Sequence, residues 1–170
     1  MTADQRSRLS YASFLDAAAS TSDAAFFRIR PAEAAALDPQ QHMILSLAYS
    51  ALRGRPFSRE SLANADIGTL LGMMNSDNVQ RIPQIPGPYD MTGNGISAAG
   101  SRLSFVFAMR GPCVALDTAC SSSLVAVHLA LRFIDHRDCD DAISMGVNLI
   151  LTPAGAFTMF AVAGMLSTLG

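Results

Sequence analysis

The residues best placed to do chemistry are Asp117-Thr118-Ala119-Cys120-Ser121-Ser122-Ser123-Leu124. A short apolar stretch, Val114 to Leu116, reads as the strand that leads in. A long apolar run reads as the helix that leads out. This spacing predicts Cys120 at a strand-to-helix elbow, on the N-terminus of a buried helix. Unpaired N–H groups and the positive end of the helix dipole favour a thiolate at such a place. A thiolate held there is a nucleophile, provided that a base and an oxyanion site face it. An arbitrary cysteine is more often an inert core residue. The elbow, the small residues and the triple serine single Cys120 out from that background. Ser121, Ser122 and Ser123 fit capping of the first turn better than catalysis.

Other chemistry-bearing residues read more plainly. Cys113, Cys120 and Cys139 make an odd count without the spacing of a disulfide framework, which points to a reducing compartment. No CxxC or HExxH pattern is present, so a metal site is not indicated. Gly93 to Gly100 misses the GxGxxG spacing and does not follow a clear strand, so it reads as close backbone approach and not as a nucleotide loop. Arg102 and Asp117 are candidates to pair and brace the cysteine. His128 lies eight residues past Cys120 on the same helix, which is about 12 Å by helix rise. His136 lies further along, and His42 is far away in sequence. None of the three is placed to act on the sulfur.

The elements that must hold Cys120 follow from periodicity and punctuation. A short helix or turn is expected over residues 11–19 and another from Pro31 to Leu37, with Pro at a good first-turn position. Asp38 is the expected cap of a helix running to Leu52, with Pro39 in its first position and Gln41 completing a capping box. Met43, Ile44, Leu47, Ala48, Ala51 and Leu52 form its apolar stripe. Gly54 and Pro56 end it. Ala65 to Met74 reads as a buried strand. Asn75 to Asp90 reads as a loop, broken by Pro83, Pro86 and Pro88. A helix is expected over 93–109, a strand over 113–119, the Cys120 helix to Ile134, an exposed turn over 135–141 and a strand over 142–151. The strands flanking the Cys120 helix predict a parallel βαβ unit. That helix carries apolar residues on almost every face, which predicts a place between layers.

Composition bounds the class. The chain of 170 residues can form one domain. Half of it is apolar and 15% is charged, below the roughly 25% usual for soluble domains. A net charge of -2 and no basic run give no electrostatic case for nucleic acid. There is no signal-peptide core and no apolar run of membrane-spanning length, so a cytoplasmic location is expected. The nine methionines are most simply core filler.

Four ordered blocks together resemble one family. Gly111-Pro112 followed by DTACSSSLVAVHLAL resembles the active-site signature of the β-ketoacyl synthases, in particular the ketosynthase domains of modular type I polyketide synthases. Phe26 to Ile29 through Leu37-Asp38-Pro39-Gln40-Gln41 resembles the family's FFxIxPxEAxxxDPQQR segment, with His42 in place of its final Arg. Thr92-Gly93-Asn94 through Ser101-Arg102-Leu103-Ser104-Phe105 resembles its glycine-rich run and GRLSY-type element. Gly146 to Pro153, with Ala163 to Ser167, resembles the strand and loop that follow. The match extends from about Tyr11 to Ser167. Ser167-Thr168-Leu169-Gly170 departs from the family's SPDG continuation, and Cys113 is a further mild departure.

The resemblance implies a thiolase-like layered α/β/α/β/α fold, here incomplete, holding most of the first of two pseudo-repeated halves. Residues 1–10 are then a poorly ordered extension, and 11–170 a partial ketosynthase domain lacking its first strand and the second half. It implies Cys120 as the catalytic residue, loaded from an acyl-carrier protein and condensed with a malonyl-type thioester. Two catalytic histidines, one in an HGTGT-like motif, belong to the absent half, so the chain is expected to be inactive alone. No bound cofactor is implied, since the phosphopantetheine arm belongs to the carrier protein. A homodimer is expected for the complete domain, with the 93–100 run near the acyl pocket or the dimer seam. The words DTACSSSL and GVNLILTP argue against thiolases and chalcone synthases, which share the fold. The alternative is a non-catalytic ketosynthase-like module for dimerisation or carrier docking.

Overall fold

A computed structural model of the chain describes residues 2–16, 21–54, 57–74, 77–82, 85–152 and 156–168. The elements in chain order are α1 (Ala3–Ser7), α2 (Pro31–Ala36), α3 (Pro39–Arg53), α4 (Arg59–Leu62), β1 (Ile67–Met73), α5 (Asp90–Asn94), α6 (Ile96–Phe107), β2 (Cys113–Leu116), α7 (Ser122–Asp135), β3 (Asp141–Val147) and α8 (Ala156–Val162). Short 3-10 turns occupy Asp77–Arg81 and Ala119–Ser121.

β1 is the organising strand. All seven of its residues are buried, as a strand covered on both faces requires. β2 and β3 flank it, both parallel to it, in the order β2-β1-β3. The expected parallel βαβ unit is therefore present, with β1 lying between its two strands. Side chains alternate along β1. Ile67 joins Leu45, Leu62, Leu103 and Phe107 in the larger core, and Leu71 and Met73 meet Ile44 and Ala99. Leu70 points the other way, onto Ala126 and Ala130 of α7. The result is three layers, with α3 and α6 on one face of the sheet and α7 on the other.

Several expectations are corrected. The apolar stripe of α3 is rotated: Ile44, Leu45, Ala48 and Leu52 are buried with Gln40 and Gln41, whereas Leu47 is 63% exposed. Asp38 does cap α3, but its carboxylate accepts from Gln40 N at 2.7 Å. Gln41 forms no capping box, because its Oε1 accepts from Arg102 Nε at 2.9 Å and the Asp38 N–H donates to Gly93 O at 2.9 Å; its amide donates to the carbonyls of Thr92 and Gly93 at 3.1 and 2.8 Å. The expected 93–109 helix is split at Gly95 into α5 and α6. The Asp77–Arg81 turn adds order to the expected loop, and the strands are shorter than expected.

α7 has a filled face and an open one. Ser122, Ala126 and Ala130 lie buried against the sheet, while Leu124 and Leu131 are 72% and 58% exposed. Within residues 1–10, taken from the sequence as an extension, α1 forms, and Arg8 Nη1 donates to Leu166 O at 2.9 Å. Residues 11–16 carry no regular structure. The remainder of the helix expected over 11–19, along with Pro56, Pro83, Pro153 and Leu169-Gly170, lies outside the described residues.

Candidate active site

The elbow predicted for Cys120 is built from side chains bonding their own neighbours. β2 ends at Leu116, and Ala119 then takes the left-handed conformation, with φ of 55°. A non-glycine residue there stores strain of order 1–3 kcal/mol and needs support. The support is local. Asp117 Oδ1 accepts from Ala119 N at 2.8 Å. The Ser122 hydroxyl accepts from Thr118 N at 2.8 Å and donates to Ala119 O at 2.8 Å. The Ser121 hydroxyl donates to Thr118 O at 2.8 Å. Two of the three serines thus serve the turn itself, and Cys120, just ahead of them, is left exposed.

The elbow sits down on two glycines. A Cβ on Gly72 would fall 2.5 Å from the Ser122 carbonyl carbon, and one on Gly146 would fall 2.7 Å from Ser123 Cβ. Their absence lets the start of α7 press onto β1 and β3. A cavity of about 490 Å³ opens beside it. Cys120, Ser123 and Asn148 contribute to its wall, with Met73, Val147, Phe160 and Met165 supplying apolar surface.

The structure brings together only part of what the sequence singled out. Arg102 does not meet Asp117. Its guanidinium is buried on the far side of the sheet, paired to Glu33 at 2.5 Å and donating to Gln41 Oε1 at 2.9 Å and Thr92 O at 3.2 Å. Glu33, missed from the sequence, lies 69 positions away, and no local signal marks it. Gly93 and Gly100 do serve close approach: a Cβ on Gly93 would run into the Ala36 carbonyl, and one on Gly100 would fall 2.8 Å from Ala115 Cβ.

The remaining cysteines and histidines lie elsewhere. Cys113 Sγ lies 2.9 Å from Thr69 Oγ1 and 3.2 Å from Gly100 O. Cys139 is buried, and desolvation pushes its thiol up from the ordinary value. None of the three histidines lines the cavity. The His42 ring lies 2.7 Å from Ser22 Oγ through Nδ1 and 3.1 Å from Ala34 O through Nε2, and burial holds its pKa down. His136 Nε2 meets Arg132 at 2.7 Å. Among the described residues no group of three or more His, Cys, Asp or Glu side chains could hold a metal, and no helix is long and apolar enough to cross a membrane.

Cys113 and Cys120 are both exposed, but of the two only Cys120, in the turn that leads into α7, lines the cavity, where its thiol can meet an apolar chain. Comparisons with known proteins bear on the family of the chain. The family model for the β-ketoacyl synthase N-terminal domain matches residues 2–170. The chain is 44% identical over 135 residues to the hybrid PKS-NRPS synthetase apdA of Emericella nidulans, covering 78% of this chain and 3% of that protein. It is 41% identical over 165 residues to a highly reducing polyketide synthase of Didymella fabae, covering 95% of this chain and 9% of that protein. Among solved structures it superposes on the ketosynthase from module 6 of the bacillaene synthase of Bacillus subtilis 168, with a TM-score of 0.80 and 33% identity over 89% of this chain and 25% of that one. The chain thus spans a small part of the synthases and about a quarter of the ketosynthase.

Proposed function

Because the chain belongs to the β-ketoacyl synthase family, we propose that Cys120 is its acyl-accepting nucleophile in a polyketide-type condensation. The observation that carries this reading is the exposed Cys120 on a strained, internally bonded elbow, in the wall of a largely apolar cavity. The Cys120 thiolate attacks the carbonyl of an acyl thioester carried on the phosphopantetheine arm of an acyl-carrier protein. The Cys120 Sγ–acyl bond forms and the carrier thiolate leaves. A malonyl-type thioester on a carrier then loses CO2, and its enolate carbon attacks the Cys120 thioester. A carbon–carbon bond forms, the bond to Sγ breaks, and the thiolate is restored. The β-ketoacyl product stays on the carrier.

The backbone N–H of Cys120, in the first turn of the elbow, is the donor we assign to the oxyanion of the first step. The chain needs no cofactor of its own in this scheme. Decarboxylation needs donors preorganised for the enolate, and no histidine of this chain lines the cavity. We therefore assign acyl transfer to these residues and the condensation half to groups outside them, with a second copy of the complete domain as partner and the cytoplasm as location. A purely non-catalytic docking role gives no reason for a thiol held open in such a cavity.

The test is to offer the purified chain an acyl thioester and then a malonyl thioester. We expect a hydroxylamine-labile acyl label that Cys120→Ala abolishes, and no β-ketoacyl product. Label that persists in Cys120→Ala would overturn the nucleophile. Product from the chain alone would overturn the division of labour.

A further inference from the structure

Past β3 the chain runs without regular structure from Asn148 to Thr152. It starts in the cavity, where Val147 and Asn148 form part of the wall beside Cys120. Backbone N–H groups in such a segment need partners outside a ladder. Two distant side chains supply them. Gln40 Oε1 accepts from Leu149 N at 2.9 Å. Asp77 supplies the larger share: its carboxylate accepts from Leu151 N at 2.9 and 3.1 Å, from Thr152 N at 2.8 Å and from Thr152 Oγ1 at 2.8 Å. The same hydroxyl approaches Gln80 Oε1 at 3.3 Å. Hydrogen bonds to an ionised carboxylate are the stronger kind. Asp77 opens its 3-10 turn shortly after Met73 and Met74, which form another part of the cavity wall.

We propose that Asp77 is a positioning residue that ties the Met73–Met74 wall to the Val147–Asn148 wall and so sets the width of the cavity at Cys120. The inference rests on the acyl-cavity reading above for its meaning, though not for its test. Loosening the clamp lets the 148–152 segment relax into the cavity and shortens the chain that can lie beside the sulfur. The small, exposed thiol itself is untouched.

The test compares two alkylating probes of Cys120 in the purified protein, iodoacetamide and N-dodecylmaleimide. Asp77→Asn keeps the size but puts an amide NH2 where an oxygen accepted. We expect the iodoacetamide rate and a cooperative melt to be kept, and the long probe to slow about tenfold relative to the small one, the scale of one lost charged hydrogen bond. Thr152→Val, which removes only the hydroxyl donor, should shift the ratio the same way by less. Should Asp77→Asn fail to fold, the Thr152→Val ratio decides. An unchanged ratio, or equal slowing of both probes, would overturn the clamp. If the wild-type protein reacts with both probes yet takes no acyl group from a thioester, the proposed function fails and the clamp stands.

Discussion

Gly72 of β1 and Gly146 of β3 stand opposite each other in register, and the first turn of α7 rests on both. This pair sets how closely the Cys120 elbow approaches the sheet. The contact at Gly72 is with backbone atoms of Ser122 and Ser123, whereas that at Gly146 is with the Ser123 side chain. Gly72→Ala should therefore be the more damaging change, costing about 1–3 kcal/mol by overpacking and slowing alkylation of Cys120. Gly146→Ala should be milder and relieved by Ser123→Gly. Denaturant melts and iodoacetamide rates on the three variants check this; equal effects of the two alanines would contradict it.

The cysteines should separate by reactivity. Cys139 is buried with its thiol pushed up by desolvation, and Cys113 Sγ is engaged by Thr69 and Gly100. Cys120 should take iodoacetamide first, as read by peptide mass mapping at limiting reagent. Earlier labelling of Cys113 or Cys139 would count against the elbow.

His42 gives a pH dependence of known sign. Its pKa is lowered, chiefly by burial and in smaller part by the Arg102 charge, against the Ala34 carbonyl and the Asp38 charge, which raise it. The unfolded chain thus takes up this proton at a higher pH than the folded one. Its contribution to stability is fully present above about pH 6.5, the ordinary value, and is lost as pH falls through the folded-state value. The melting temperature of the wild type should drop more steeply than that of His42→Gln as the solution is acidified. Parallel curves would show that His42 carries none of the dependence.

Much of this was legible in the sequence, and the limits are physical. β1 announced itself as an apolar run because it is covered on both faces, and the elbow because a short strand meets a long apolar helix at small residues. The face of α3 did not. Its apolar positions fit two overlapping stripes, and the buried one includes Gln40 and Gln41, which no hydropathy pattern assigns to a core. Gln41 left the capping box for the Arg102 guanidinium, 61 positions away. Arg102 found Glu33 rather than Asp117, and Asp77 found a loop 74 positions on. Partners set by topology leave no local trace.

The open face of α7 should drive association. Leu124 and Leu131, with Val127 at 44% and Ile134 at 39% exposure, present apolar surface, and each large side chain covered gains roughly 1.5–3 kcal/mol. Light scattering should show concentration-dependent mass for the isolated chain, reduced in Leu124→Gln/Leu131→Gln. A monomer at every concentration would contradict this.

The central claim is that Cys120 accepts an acyl group as a thioester. Its most direct test is tandem mass spectrometry of the protein after exposure to a short acyl thioester, with the modified residue located by fragmentation. The acyl mass should sit on Cys120 and disappear on brief treatment with hydroxylamine. An unmodified Cys120, or an acyl group found on Cys113 instead, would contradict the account.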